Sequence, residues 1–83
     1  MIDDIKLRLK SQVSAMTELP VEELDEQTHL AEFGIDSLQA LELLVMLERT
    51  YRIEIPQEDL KHFTTIQNVA ELVARRVQEL VTV

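Results

Sequence analysis

Phe33-Gly34-Ile35-Asp36-Ser37-Leu38-Gln39-Ala40-Leu41-Glu42-Leu43-Leu44 is the stretch from which the rest of this 83-residue chain is read. It holds the only glycine of the protein and, three residues later, a serine. Glycine suits a backbone position that needs a positive φ or a close approach by another group. Asp36 and Ser37 are helix-starting residues, because their oxygens accept from the exposed N–H groups of a first turn. From Ser37 on, helix formers dominate, with neither Gly nor Pro before Tyr51, so a helix is expected over residues 37–51. A hydroxyl at its start would stand among free N–H groups at the positive end of the helix dipole. That setting favours a phosphate.

This helix is apolar on more than one side. Ala40, Leu43, Leu44, Leu47 and Tyr51 form one stripe, assigned to the core. Leu38, Leu41 and Val45 form a second, interleaved with Glu42 and Glu48. A helix of that kind is either deeply buried or offers a face to a partner. On the first reading the second stripe extends the core. On the other, it docks partners, and Glu42 and Glu48 meet basic residues that set orientation and on-rate.

Residues 2–16 read as the first helix, with Ile2, Ile5, Leu9, Val13 and Met16 on one face. Asp3 and Asp4 lie at its favourable end for negative charge, and Lys6, Arg8 and Lys10 read as a solvated face. Ser11 and Ser14 lack a glycine turn or an Asp partner and are not candidates for modification. Residues 17–36 form a long connection, in which Pro20 opens one short helical turn. Leu19, Val21, Leu24, Leu30 and Phe33 are expected to anchor it. His29 has no second His or Cys at metal spacing, so no metal is assigned.

Residues 52–63 hold a turn and a short third helix at Gln57 to Lys61, with Leu60 and Phe63 pointing inward. Ile53 and Ile55 alternate like a strand, but no second strand pairs with them. Glu54, Glu58 and Asp59 fit no calcium loop and read as solvated charge, and His62 reads as a surface residue. Residues 65–80 form the last helix, along the stripe Ile66, Val69, Val73, Val77, Leu80. Thr64-x-x-Gln67 suits a capping box, Arg75 and Arg76 complement the helix dipole, and Val81-Thr82-Val83 should fray. Three long helices and one short one predict an all-α four-helix bundle over residues 1–83, as a single domain. A chain of this size buries only about 60–65% of its unfolded surface, enough for one modest core.

Sixteen acidic residues oppose eight basic ones, a net charge of −8. Residues 17–59 hold twelve Asp and Glu against Arg49 and Arg52 alone, a local net of −10 around Ser37. Such a surface lacks the basic footprint of a nucleic-acid binder and suits steering toward basic partners. There is no cysteine, hence no disulfide framework and no thiolate site. No apolar run approaches the ~18 residues of a membrane span. Met1-Ile2-Asp3-Asp4 is unlike a signal or transit peptide, so a cytoplasmic monomer is expected. An esterase would need a Gly-x-Ser-x-Gly elbow and an α/β sheet, both missing here. Ser37 therefore reads as an attachment point and the chain as non-catalytic.

At residues 33–38 the chain resembles the acyl carrier protein family, whose signature is Asp-Ser-Leu opening a helix after a short glycine-containing turn. The resemblance continues through Ile53-Glu54-Ile55-Pro56-Gln57-Glu58-Asp59-Leu60 and Phe63-Thr64-Thr65-Ile66-Gln67-Asn68-Val69. It implies that Ser37 takes a 4′-phosphopantetheine arm from coenzyme A, making the chain a phosphoprotein whose arm thiol holds acyl groups as thioesters. A separate phosphopantetheinyl transferase, normally with magnesium, would attach the arm, while Asp36 and Gly34 present the serine. Acyl-transferring, condensing and modifying enzymes with basic docking surfaces would then meet Leu38, Leu41, Glu42, Val45 and Glu48. The chain departs from the commonest fatty-acid-synthesis pattern at Gln39, where an acid is usual, and at Arg49, which interrupts an acidic run. Its Phe-Gly-Ile-Asp-Ser-Leu turn is more similar to carriers of polyketide or other specialised pathways. Asp36, where peptidyl carriers more often have His, points to acyl cargo. The alternative is an unmodified helical module that docks partners through the same face.

Overall fold

The computed structural model describes residues 1–81; Thr82 and Val83, and with them the expected fraying of the chain end, lie outside the described residues. Three α-helices carry the fold: α1 (Ile2–Thr17), α2 (Ser37–Tyr51) and α3 (Ile66–Val81). A 3-10 helix, Gln57–His62, occupies the place of the short helix expected between the last two. The all-α bundle is thus as read, with its fourth helix wound more tightly. Two further 3-10 turns, Val21–Glu23 and Leu30–Phe33, shape the α1–α2 connection, and the sequence reading included only the first. Among the described residues there is no strand, only one isolated bridge between His29 and Thr65.

The apolar periodicity explains the packing. Ile5, Leu9 and Val13 of α1, Leu43, Leu44 and Leu47 of α2, and Ile66, Val69 and Val73 of α3 are all buried. Ile2, Met16, Ala40, Tyr51 and Val77 flank them half-buried, so the three predicted stripes meet in one core. Leu80, read as the end of the α3 stripe, is instead exposed. Ile53 and Ile55 bury their side chains without a strand, because Ile53 N–H bonds the Glu48 carbonyl at 3.2 Å and Ile55 N–H bonds the Glu48 carboxylate at 2.9 Å. α1 packs against α3 and α2, and the 3-10 helix Gln57–His62 packs against α2. At the open end of α1, the Tyr51 hydroxyl reaches Asp4 at 3.5 Å. Burial, and after it the Asp4 charge, push that phenol above its ordinary value.

Several polar residues read as solvated are tied into the fold. Lys6 and Lys10, one turn apart on α1, both pair with Glu26 in the long connection, at 3.0 and 2.8 Å. The Glu26 carbonyl in turn accepts from Gln67 N–H at 3.1 Å, so one residue joins α1, the loop and α3. Asp59 pairs with Arg76 at 2.9 Å and fastens the 3-10 helix to α3. The cap of α3 falls one residue later than the capping box read at Thr64 and Gln67. Thr65 Oγ1 accepts from Asn68 N–H at 3.0 Å, and α3 starts at Ile66. Thr64 instead accepts from the Asn68 side chain, while its carbonyl takes Leu30 N–H at 2.7 Å.

Candidate functional site

The approach to Ser37 is built by the turn that precedes α2. His29 Nδ1 accepts from Ala31 N–H at 3.0 Å and so caps the 3-10 turn Leu30–Phe33. This gives His29 a structural task. The turn ends at Gly34, whose N–H bonds the carbonyls of Ala31 and Leu30. Gly34 has φ 93° and ψ 10°, a left-handed backbone further into positive φ than that of Glu18 (φ 66°) or Arg52 (φ 55°). A Cβ added there would meet nothing within 4 Å, so the glycine answers a torsional need and not a close approach. Ile35, next along, is buried and anchors the turn.

Asp36 is the N-cap of α2, and its carboxylate accepts from Gln39 N–H at 2.8 Å. Gln39 reciprocates, its side-chain oxygen accepting from Asp36 N–H at 3.2 Å. The two form a capping box. The sequence reading counted Gln39 only as a missing acid; the pattern Asp-x-x-Gln was the available signal. Ser37 is the first residue of the helix. Its side chain is exposed, and its hydroxyl bonds no described residue. Ala40 N–H bonds the Asp36 carbonyl at 2.9 Å, leaving the N–H groups of Ser37 and Leu38 without a partner among the described residues. A free hydroxyl thus stands beside two free donors at the positive end of a 15-residue helix.

The second stripe of α2 divides. Leu38 is 64% exposed, Leu41 is half-buried, and Val45 is half-buried with its side chain packed against the core. Leu41, Glu42, Val45, Met46, Arg49 and Thr50 line an open groove of about 450 Å³ along the helix. Glu48 stands apart from the other residues read as a partner face, because its carboxylate holds Ile55 N–H. No group of three or more His, Asp or Glu among the described residues could hold a metal ion. No helix among them is long and apolar enough to cross a membrane.

Comparisons with known proteins bear on the family and on the fold. The family model described as "phosphopantetheine attachment site" matches residues 8–73, which include the whole turn and all of α2. The chain is 26% identical over 73 residues to 3-methylorcinaldehyde synthase of Sarocladium schorii. That match covers 88% of this chain but only 3% of the much longer synthase. The fold is similar to the NMR structure of the HMG-ACPI domain from the CurA module of Lyngbya majuscula, with a TM-score of 0.84 at 21% identity. The match covers 99% of this chain and 83% of that domain. Proteins of the matched family are carriers with a covalently attached 4′-phosphopantetheine. With an exposed, unpartnered serine opening α2 and most of its length matched, this chain belongs to the phosphopantetheine attachment site family.

Proposed function

We propose that the chain is an acyl carrier, with 4′-phosphopantetheine on Ser37. The observation that carries this reading is the free Ser37 hydroxyl at the first position of a capped helix. Those residues fit the group: no side chain binds the hydroxyl, and two unpartnered N–H groups flank the place a phosphodiester would take. No described residue accepts a hydrogen bond from the Ser37 hydroxyl, and its activation is assigned to a partner transferase. The bound arm supplies a thiol that holds an acyl group as a thioester. The chain contributes the tether, which raises the effective concentration of that group at each enzyme visited.

Partner enzymes meet α2 through Leu38, Leu41, Glu42 and Val45, the acidic surroundings of Ser37 steering basic surfaces toward it. Glu48 contributes there only with whatever its bond to Ile55 leaves free. The Phe33–Leu38 turn and the likeness to a 3-methylorcinaldehyde synthase favour polyketide-type assembly over fatty-acid synthesis. The test is intact-protein mass after incubation with coenzyme A, magnesium and a broad-specificity phosphopantetheinyl transferase, with Ser37→Ala alongside. One added 4′-phosphopantetheine in wild type alone is expected. No gain in folded wild type would overturn the reading and leave an unmodified docking module.

A further inference from the structure

The turn that bears the serine is held differently from the rest of α2. The nearest buried side chains are Ile35 before it and Leu43 after it, and none of residues 36–42 between them is buried. Core packing on the first turn comes from the half-buried Ala40, while Asp36, Ser37 and Leu38 are exposed. Ser37 itself makes no side-chain bond, so what the fold sets is where the backbone places its Cβ. Beyond the bonds within α2 itself, three hydrogen bonds hold that backbone. Ala40 N–H to the Asp36 carbonyl is ordinary helix propagation at 2.9 Å. The other two are reciprocal: Gln39 N–H to the Asp36 carboxylate, and Asp36 N–H to the Gln39 side chain.

We propose that Gln39 is a positioning residue for the modification of Ser37, an inference that rests on the carrier reading above. Its side-chain oxygen holds the Asp36 N–H and keeps Asp36 extended, at φ −94° and ψ −179°. The Ile35–Asp36 peptide, one residue ahead of the serine, is thereby held by a side chain of the first helical turn. Without that acceptor the Asp36 N–H loses its partner, the turn is held less tightly, and the transferase has more ordering to do as it binds. A carboxamide does this without placing a second negative charge beside the Asp36 carboxylate. The residue thus acts through hydrogen-bond acceptance and not through charge.

The experiment compares wild type, Gln39→Ala and Gln39→Glu as substrates of a phosphopantetheinyl transferase with coenzyme A and magnesium. Amide hydrogen exchange is read on the same unmodified proteins. Loss of one member of a cap lowers kcat/KM in Gln39→Ala by about two- to ten-fold. Gln39→Glu keeps an acceptor at neutral pH and returns close to the wild-type value. Alanine is the better helix former, so the melting temperature hardly moves, which separates positioning from general loss of stability. Exchange at Asp36 N–H accelerates in Gln39→Ala, while exchange from Leu43 to Leu47 is unchanged. Equal modification of wild type and Gln39→Ala overturns the proposal. So does a slow Gln39→Ala whose Asp36 exchange is unchanged, because the carboxamide would then be a direct contact of the transferase. If wild type takes no arm, the carrier reading fails separately. Asp36 exchange still judges the turn, and no acceleration in Gln39→Ala overturns Gln39's part in it.

Discussion

Replacing Gly34 by alanine isolates the torsional demand of the turn, because the new methyl has room. An added Cβ meets nothing within 4 Å, so no packing clash enters the cost. What remains is the backbone at φ 93°. A left-handed conformation costs an L-residue about 1–2 kcal/mol, and the loss of unfolded-chain freedom on Gly→Ala returns about 0.4–1 kcal/mol. The net is a destabilisation of about 1 kcal/mol, which in a domain of this size lowers the melting temperature by about 4–8 °C. The turn cannot readily relax to avoid it, since the Gly34 N–H is bonded to Ala31 and Leu30 and the flanking Leu30 and Ile35 are buried. Far-UV circular dichroism melts and urea titrations measure the difference, with Gly34→Asn as a companion. Asparagine tolerates left-handed backbone better than alanine and should fall between alanine and wild type. An alanine variant as stable as wild type would refute the torsional account. A loss beyond about 3 kcal/mol would refute the claim of open space.

The Glu26 carboxyl is held below its ordinary value of 4.5, first by Lys10 and then by Lys6. A folded value below the unfolded one means these ion pairs stabilise the fold above about pH 4.5 and cease to as pH falls through the lowered value. In urea titrations, the stability gap between wild type and Glu26→Gln should therefore hold steady at neutral pH and close on acidification; a widening gap would sink the idea. Thr65→Ala removes the cap of α3 and should cost about 1 kcal/mol, with Thr64→Ala costing clearly less. The reverse order in thermal melts would restore Thr64 as the cap. Leu43→Ala, at a fully buried position of α2, should cost about 2–5 kcal/mol by chemical denaturation, and a loss under about 1 kcal/mol would contradict that burial.

Much of the bundle was legible because side-chain burial along a helix repeats every three or four residues. The stripes through Ile5, Leu9 and Val13, through Leu43, Leu44 and Leu47, and through Ile66, Val69 and Val73 became the core. Helix boundaries were close, and misses came where hydrogen-bond geometry, not periodicity, decides. The two adjacent threonines, Thr64 and Thr65, offer the same hydroxyl at neighbouring positions, and only the entry of the chain into α3 selects Thr65. The 3-10 turn Leu30–Phe33 has no apolar period to announce it. It forms because His29 caps it and Thr64 receives Leu30 N–H from across the bundle.

At the site, Gly34, Asp36 and Ser37 were marked by local chemistry alone, since a turn, a cap and a helix start are settled within a few residues of each other. Gln39 carried the same kind of signal, in an Asp-x-x-Gln pattern. The role of Glu48 was not local: it binds a backbone group seven residues away, past the end of its helix. Likewise Lys6, Lys10 and Glu26, or Asp59 and Arg76, are charges whose partners stand on other elements. By itself the sequence determined the helices, the core stripes and the serine that opens α2, because each follows from short-range periodicity and capping. Tertiary structure alone decided which charges are ties, how far Leu38 stands from the core, and that Ser37 is left with no partner. Those depend on distances between elements, which no spacing along a chain encodes.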